Sequence, residues 1–393
     1  MKAFGNFVTG LMMAFAIAMV LIVGVELALR FVPAGQGYFL VDEGSENRAI
    51  RLPLFPPNSR YISKPPPEYL EARTEGLPAR DYVINTDADG FIMPGRVHGE
   101  PDLTIAFLGG STTENFLVPA RARFPHLAGQ EIEACTNSRV NTINAGRSGI
   151  TSMHSLNIFV NTVLPHRPDI AVMMHNINDY AMLHHEGSYW NDHPGRSLLT
   201  TFSTRPEEPE NRFARLAYLL VPRTTNFLNH LGDTPPPPST DPQATRWGTP
   251  KHIETDRITS QFSRSLETFI HTARSWGVQP VLMTMPDRWP EDLASAPSNI
   301  HDFINRKVFA IDDYSVFTDG FDRMNDTVRQ TAAKFDVPVI ELASAIPPSV
   351  DFMFDAIHFN EAGSRMAAGV IAEELCDVVK TDLSPSDVGR LKK

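Results

Sequence analysis

The sequence predicts an α/β protein, a doubly wound, five-stranded parallel sheet in three layers (α/β/α), preceded by a transmembrane helix. Three observations predict it. Short apolar runs alternate with helical periods from about residue 101 onward, a glycine-flanked serine follows the first such run, and an uncharged apolar stretch lies near the N-terminus. With 393 residues, 42% of them hydrophobic, the chain can bury a sizeable core. Its net charge of −11 supplies no basic field for a phosphate backbone, which excludes nucleic acid as a partner.

Residues 7–25 carry no charge and, at about 1.5 Å rise per residue, reach across about 28 Å of hydrocarbon. A cleaved signal peptide is the competing reading. It calls for an apolar core of roughly 7–15 residues before a small-residue cleavage site, whereas here GVELALRF continues the helical pattern. Residues 1–32 are therefore expected to anchor the chain in the membrane, with Glu26 and Arg30 paired at the interface. A short N-terminal tail before a large domain favours the outer (periplasmic or extracellular) face of the cytoplasmic membrane.

Residues 33–100 are rich in Pro, Gly and charge (FPPNSR, KPPPEY, NTDADGF) and read as a stalk or irregular lead-in. The main domain is expected over 101–384. Its strands are Leu103–Leu108, Val140–Asn144, Ile170–His175, Val278–Thr284 and Val337–Leu342, each short and apolar as buried parallel strands are. Helices fill the gaps, at Phe124–Cys135, at the spacing of Ile258, Phe262, Leu266, Phe269 and Ala273, and at that of Met324, Val328 and Ala332. A long insertion, about 180–254, carries DTPPPPSTDP and extends from the carboxyl edge of the sheet, where open α/β sheets bind ligands.

Cys135 and Cys376 are too few and too far apart for a cysteine zinc site. They fall late in the first and last helices, so either a disulfide or two buried thiols fits. No histidine pair has HExxH spacing, and the adjacent His184 and His185 point apart. Neither a metal nor a cofactor is implied.

The chemistry-bearing segments lie at the ends of the strands. AFLGGSTTE places Ser111 on a strand-to-helix turn with glycines behind it, a position that serves a nucleophile or merely caps a helix. DFMFDAIHFNEAG places Asp355 and His358 three apart in a loop, where a carboxylate fixes an imidazole tautomer. INAGRSG and HNIND follow the second and third strands. Acyl transfer needs donors aimed at a developing oxyanion, and Ser111, Gly149 and Asn178 offer three.

In the order Ser–Gly–Asn–His, carried by GGST, NAGRSG, NIND and DAIH, the chain resembles the SGNH hydrolases, the group that includes GDSL lipases, esterases and carbohydrate acetyl esterases. The anchor and lead-in resemble membrane-tethered bacterial members. The resemblance implies Ser111 as nucleophile, His358 as base, Asp355 as its orienting group, and Ser111, Gly149 and Asn178 as oxyanion donors. Gly110 stands where the GDSL form has Asp, and Asn176 where G-x-N-D has Gly. The expected activity is hydrolysis of short O-acyl esters, acetyl above all, on an envelope or exported polysaccharide. The competing readings are an O-acyltransferase using the same acyl-enzyme and a non-catalytic envelope-binding module.

Overall fold

The structure is a computed structural model that describes residues 2–29, 46–65, 77–203, 253–291, 294, 300 and 314–381. The chain divides into two compact units, one of residues 1–49 and 201–240, the other of residues 50–200 and 241–393. The first contains helix α1, Lys2–Leu29. Sequence places a membrane span at 7–25. A helix forms there, but among the described residues no helix is long and apolar enough to cross a membrane, so the expected span is not part of the observed fold. Arg30, the expected partner of Glu26, lies outside the described residues.

The second unit begins with the lead-in, where the structure corrects the expectation of an aperiodic segment. Arg60–Ser63 (β1) and Tyr82–Asn85 (β2) pair antiparallel. Both strands have only four residues and β1 is nowhere fully buried, which is why no periodic pattern announces them.

Five parallel strands follow, β3 (Leu103–Gly109), β4 (Val140–Asn144), β5 (Ile170–Met174), β6 (Gln279–Met283) and β7 (Val339–Ile340), in spatial order β4-β3-β5-β6-β7. The first three are buried at every position, as strands covered on both faces must be. Each buried Ile or Phe of β3 contributes about 1.5–3 kcal/mol of transfer free energy. The last strand is shorter than the expected Val337–Leu342. Pro338 has no N–H to donate, and Leu342 already begins a helical turn, Leu342–Ala345. The register aligns Phe107 with Asn144, Gly109 with Met174, and Met283 with both Met174 and Ile340. All five carboxyl ends therefore share one edge.

The helices are α2 (Ser111–Glu114), α3 (Phe124–Thr136), α4 (Ser152–Ile158), α5 (Ile177–Glu186), α6 (Thr255–Ser275), α7 (Tyr314–Phe335) and α8 (Glu361–Thr381). α3 packs against α8, while α6 packs against α4 and α7. These are the two helical layers that right-handed crossovers produce. Of the insertion expected at 180–254, residues 204–252 lie outside the described residues.

The lead-in covers the open edge of β4. Ile92 N–H donates to Asn144 O at 3.1 Å and Thr142 N–H to Gly95 O at 3.1 Å, which satisfies groups that an edge strand would otherwise expose. Arg123, 2% exposed, donates from Nε to Asn115 O (3.2 Å), from Nη1 to Met93 O (3.2 Å) and from Nη2 to Val83 O (2.8 Å). One guanidinium thus ties the lead-in to the turn that carries Ser111.

Of the two readings the sequence left open for the cysteines, the structure takes the disulfide. Cys135 at the end of α3 bonds Cys376 in α8, with Cα atoms 6.3 Å apart and a sequence separation of 241. A cross-link over so long a loop acts mainly on the unfolded chain. Replacing both cysteines with Ala is expected to lower unfolding free energy in urea by about 2–4 kcal/mol. Two titratable thiols in the unreduced, unfolded protein would contradict the bond.

Candidate active site

The turn after β3 is glycine-rich because its neighbours are close. Gly110 has φ −81°, which is not the left-handed region that glycine alone favours. A Cβ on Gly109 would stand 2.1 Å from Thr113 Oγ1, and one on Gly110 would stand 2.6 Å from Asn178 Nδ2. Close approach is the actual constraint. α2 ends after one turn at Asn115 in the left-handed region (φ 57°), a conformation Asn adopts more readily than most residues.

Ser111, Asp355 and His358 are brought together. Ser111 Oγ lies 2.7 Å from His358 Nε2, and His358 Nδ1 lies 2.7 Å from Asp355 Oδ2. With Nδ1–H donating to the carboxylate, Nε2 is left to accept the serine proton. Asp355 Oδ1 accepts the N–H groups of Ile357 (3.0 Å) and His358 (2.8 Å). Burial alone would raise this carboxyl, but the adjacent His358 and those two N–H groups outweigh it and hold it below the usual carboxylate range.

The loop that carries Asp355 and His358 is closed by an antiparallel bridge between Met353 and Phe359. Asn360 fastens its base, donating to Val350 O and Asp351 O and accepting the Gly363 N–H at the start of α8. Arg288, just past β6, donates its N–H to Ala356 O at 2.8 Å and its Nε to Asp355 O at 3.4 Å. The Phe354 ring stacks on His358 (centroids 5.6 Å, interplanar 11°) and Phe116 meets it edge-on at 5.5 Å. These rings flank the imidazole, and Ser111 and His358 are both 5% exposed.

Of the remaining two predicted residues, Asn178 approaches Gly110, the neighbour of Ser111, and Gly149 precedes Ile150, whose carbonyl faces the same glycine. Gly149 has φ 77°, a left-handed conformation that side chains rarely adopt. Asn178, in the first turn of α5, donates from Nδ2 to Ile150 O at 2.9 Å. That bond uses one of the two amide hydrogens. Asn176, which stands where G-x-N-D has Gly, has φ −164° and ψ −86°, outside the left-handed region that favours glycine.

Two buried acids escape sequence reasoning. Glu114, three residues after Ser111, accepts the Ser148 N–H at close range. Asp179 is fully buried, accepting the Ser152 N–H (3.0 and 3.1 Å to its two oxygens), the Ser152 hydroxyl and the Tyr189 hydroxyl (2.6 Å), with His175 Nδ1 at 3.4 Å. Each follows a motif residue (GGSTTE, NIND), which is the only signal the sequence gives. Among the described residues no group of three His, Cys, Asp or Glu could hold a metal.

Burial pushes Asp179 up to about 6 and His175 down to about 3. A carboxyl raised in the folded state binds its proton more tightly there, so its contribution to stability is lost as pH rises from about 4 to about 6. Asp179→Asn keeps an acceptor but cannot ionise. Relative to wild type, this variant is expected to gain roughly 2–3 kcal/mol between pH 4 and pH 7. A stability difference independent of pH in parallel denaturations would refute the assignment.

Residues 107–366 match the profile of the GDSL-like Lipase/Acylhydrolase family. No curated protein matches the chain. Similar solved structures include a putative lipolytic protein of G-D-S-L family from Desulfitobacterium hafniense DCB-2, with 10% identity and TM-score 0.38, covering 69% of this chain and 98% of that one. A lipase/acylhydrolase from Enterococcus faecalis has 17% identity and TM-score 0.40, covering 70% and 96%. An acetylxylan esterase from Geobacillus stearothermophilus has 14% identity and TM-score 0.39, covering 70% and 94%.

Proposed function

Since the chain belongs to the GDSL-like lipase/acylhydrolase family, we propose that it is a serine ester hydrolase that removes short acyl groups, acetyl above all, from an envelope or exported polysaccharide. The observation that carries this reading is the unbroken chain from Ser111 Oγ through His358 to Asp355, with 2.7 Å at each step.

In the proposed cycle His358 Nε2 takes the Ser111 proton as Oγ attacks the ester carbonyl. Asp355 holds the imidazole in that tautomer and stabilises the imidazolium. The N–H groups of Ser111 and Gly149 and the Asn178 amide receive the oxyanion; at the first position of α2 the Ser111 N–H has no intrahelical acceptor. Collapse of the tetrahedral intermediate expels the alcohol with the His358 proton. Water, activated by the same imidazole, then releases the acid.

Short acyl chains are favoured by the space beside the nucleophile. The pocket that Ser111 lines with Phe116, Leu117, Phe354 and His358 is nearly closed, without room even for a water-sized sphere, and no broad apolar groove opens on the nucleophile there. Binding a long chain needs a broad apolar surface.

The same proposal places the enzyme outside the cytoplasm, held to a membrane through α1. The Cys135–Cys376 disulfide supports an oxidising compartment. Met12, Met13, Phe15, Val20 and Leu21 are all exposed on α1, and a helix apolar all round calls for a protein or lipid cover. Alkaline carbonate washing should leave the full-length protein in the membrane pellet and release a form lacking residues 1–32. Full-length protein in the wash would contradict attachment.

The substrate reading is tested with p-nitrophenyl esters of increasing chain length alongside acetylated oligosaccharides. Wild type is expected to prefer acetyl and to release acetate from the sugars, while Ser111→Ala and His358→Ala lose nearly all turnover. Asn178→Ala should cost about 10²–10³ in kcat, the effect of one oxyanion donor. A kcat/KM that climbs steadily beyond about eight carbons would point to a lipase with a broad apolar site. Acetyl passed to an added glycan and not to water would make the enzyme a transferase.

A further inference from the structure

Glu114 is a buried carboxylate that the proposed cycle does not use, although it lies one helical turn from Ser111. It is 3% exposed and sits in the single turn of α2. Its two oxygens face the loop between β4 and α4: Oε2 accepts the Ser148 N–H, and Oε1 lies 3.8 Å from Arg147 Nη1. The far side of that guanidinium is covered by the Phe55 ring of the lead-in, 3.9 Å from its centroid. Keeping an acid in so dry a place has a cost, and burial raises its proton affinity against the pull of Arg147. A side chain needed only to fill space would not be an acid.

The loop that Glu114 grips contains Gly149. Ala145 N–H donates to Phe107 O (3.0 Å), Gly146 N–H to Asn144 Oδ1 (3.0 Å) and Arg147 N–H to Gly109 O (3.0 Å), which lays the start of the loop along the end of β3. Gly146 is pressed so closely to α2 that a Cβ would lie 2.4 Å from Glu114 N. Beyond Arg147 a turn closed by Ile150 N–H on Arg147 O (3.4 Å) is held by three side chains, one of them Arg196, whose Nη1 donates to Gly149 O at 3.4 Å. Glu114 takes the Ser148 N–H and Asn178 gives its amide to Ile150 O at 2.9 Å. Between those two attachments stands Gly149, with φ 77°.

We propose that Glu114 is the positioning residue of this turn, its carboxylate fixing the Ser148 peptide and thereby the direction of the neighbouring Gly149 N–H. The inference rests on the ester-hydrolase reading, because it gives that N–H an oxyanion to meet. Glu114 touches no reacting atom; it acts through Gly149, as Asn178 does in part through Ile150. A misaligned oxyanion donor loses transition-state stabilisation while leaving substrate binding nearly unchanged, so the effect belongs in kcat and not in KM.

The test compares Glu114→Gln, Glu114→Asp and Glu114→Ala with wild type on p-nitrophenyl acetate, with rates referred to active sites counted from the pre-steady-state burst. Gln keeps an oxygen for the Ser148 N–H and is expected to retain kcat within about three-fold. Asp keeps the charge but withdraws it from the loop, and Ala removes it; both should lower kcat by roughly 10- to 100-fold with KM within about two-fold. If Ala does not fold, Asp and Gln decide the matter. In an Asn178→Ala background, loss of Glu114 should cost less than about three-fold, because both residues hold one turn. Unchanged kcat per active site in the Asp variant, or losses that multiply in the double variant, would overturn the inference. A wild-type enzyme without a burst and without ester turnover would instead overturn the hydrolase reading.

Discussion

The hydrogen bond between Ser111 Oγ and His358 Nε2 joins residues 247 apart in sequence, and the rest of the structure depends on keeping it at 2.7 Å. Neither residue is placed by its own neighbours alone. Ser111 is fixed by β3, which is buried throughout and paired on both sides. His358 stands on a loop at the start of α8, and α8 is held by its packing on α3 and by the Cys135–Cys376 bond. Two contacts close the gap near the bond itself: Thr112 Oγ1 donates to Ile357 O at 3.3 Å and Asn115 Nδ2 to Ser364 Oγ at 2.7 Å. The Ser111 turn and the His358 loop are thus fastened to each other as well as to the sheet.

A second constraint is crowding. Four segments meet at the carboxyl edge of the sheet, and glycines stand where two of them touch, Gly110 against Asn178 and Gly146 against Glu114. The lead-in adds a further layer through Arg123 and through Phe55 on Arg147. Burial lowers the Arg123 guanidinium to about 10, yet three carbonyls and the charge of Glu114 keep it in place. Of the stalk and the irregular lead-in that the composition allows, the described residues 50–65 and 77–100 form a lead-in packed on β4 and on the loop that follows it.

Much of this was legible in the sequence. Buried parallel strands lose their alternation and become short apolar runs, so β3 to β6 appear within one residue of their observed limits. Asp355 and His358 are legible because their contact is local, closed within three residues. What stayed hidden depends on distant partners. Nothing in DFMF tells that Phe354 stacks on His358, nothing in NIND that Asp179 gathers Ser152, Tyr189 and His175, and nothing in the lead-in that it would cap β4. Sequence shows a glycine at 109 and 110 but not the Thr113 and Asn178 atoms that leave no room for a Cβ.

The account turns on Ser111 being a nucleophile activated by His358. Intact-mass analysis after exposure to a fluorophosphonate tests this directly. The account predicts one adduct per chain, mapped to Ser111, absent from Ser111→Ala and strongly slowed in His358→Ala. An unmodified wild-type protein, or equal labelling of Ser111→Ala, would contradict it.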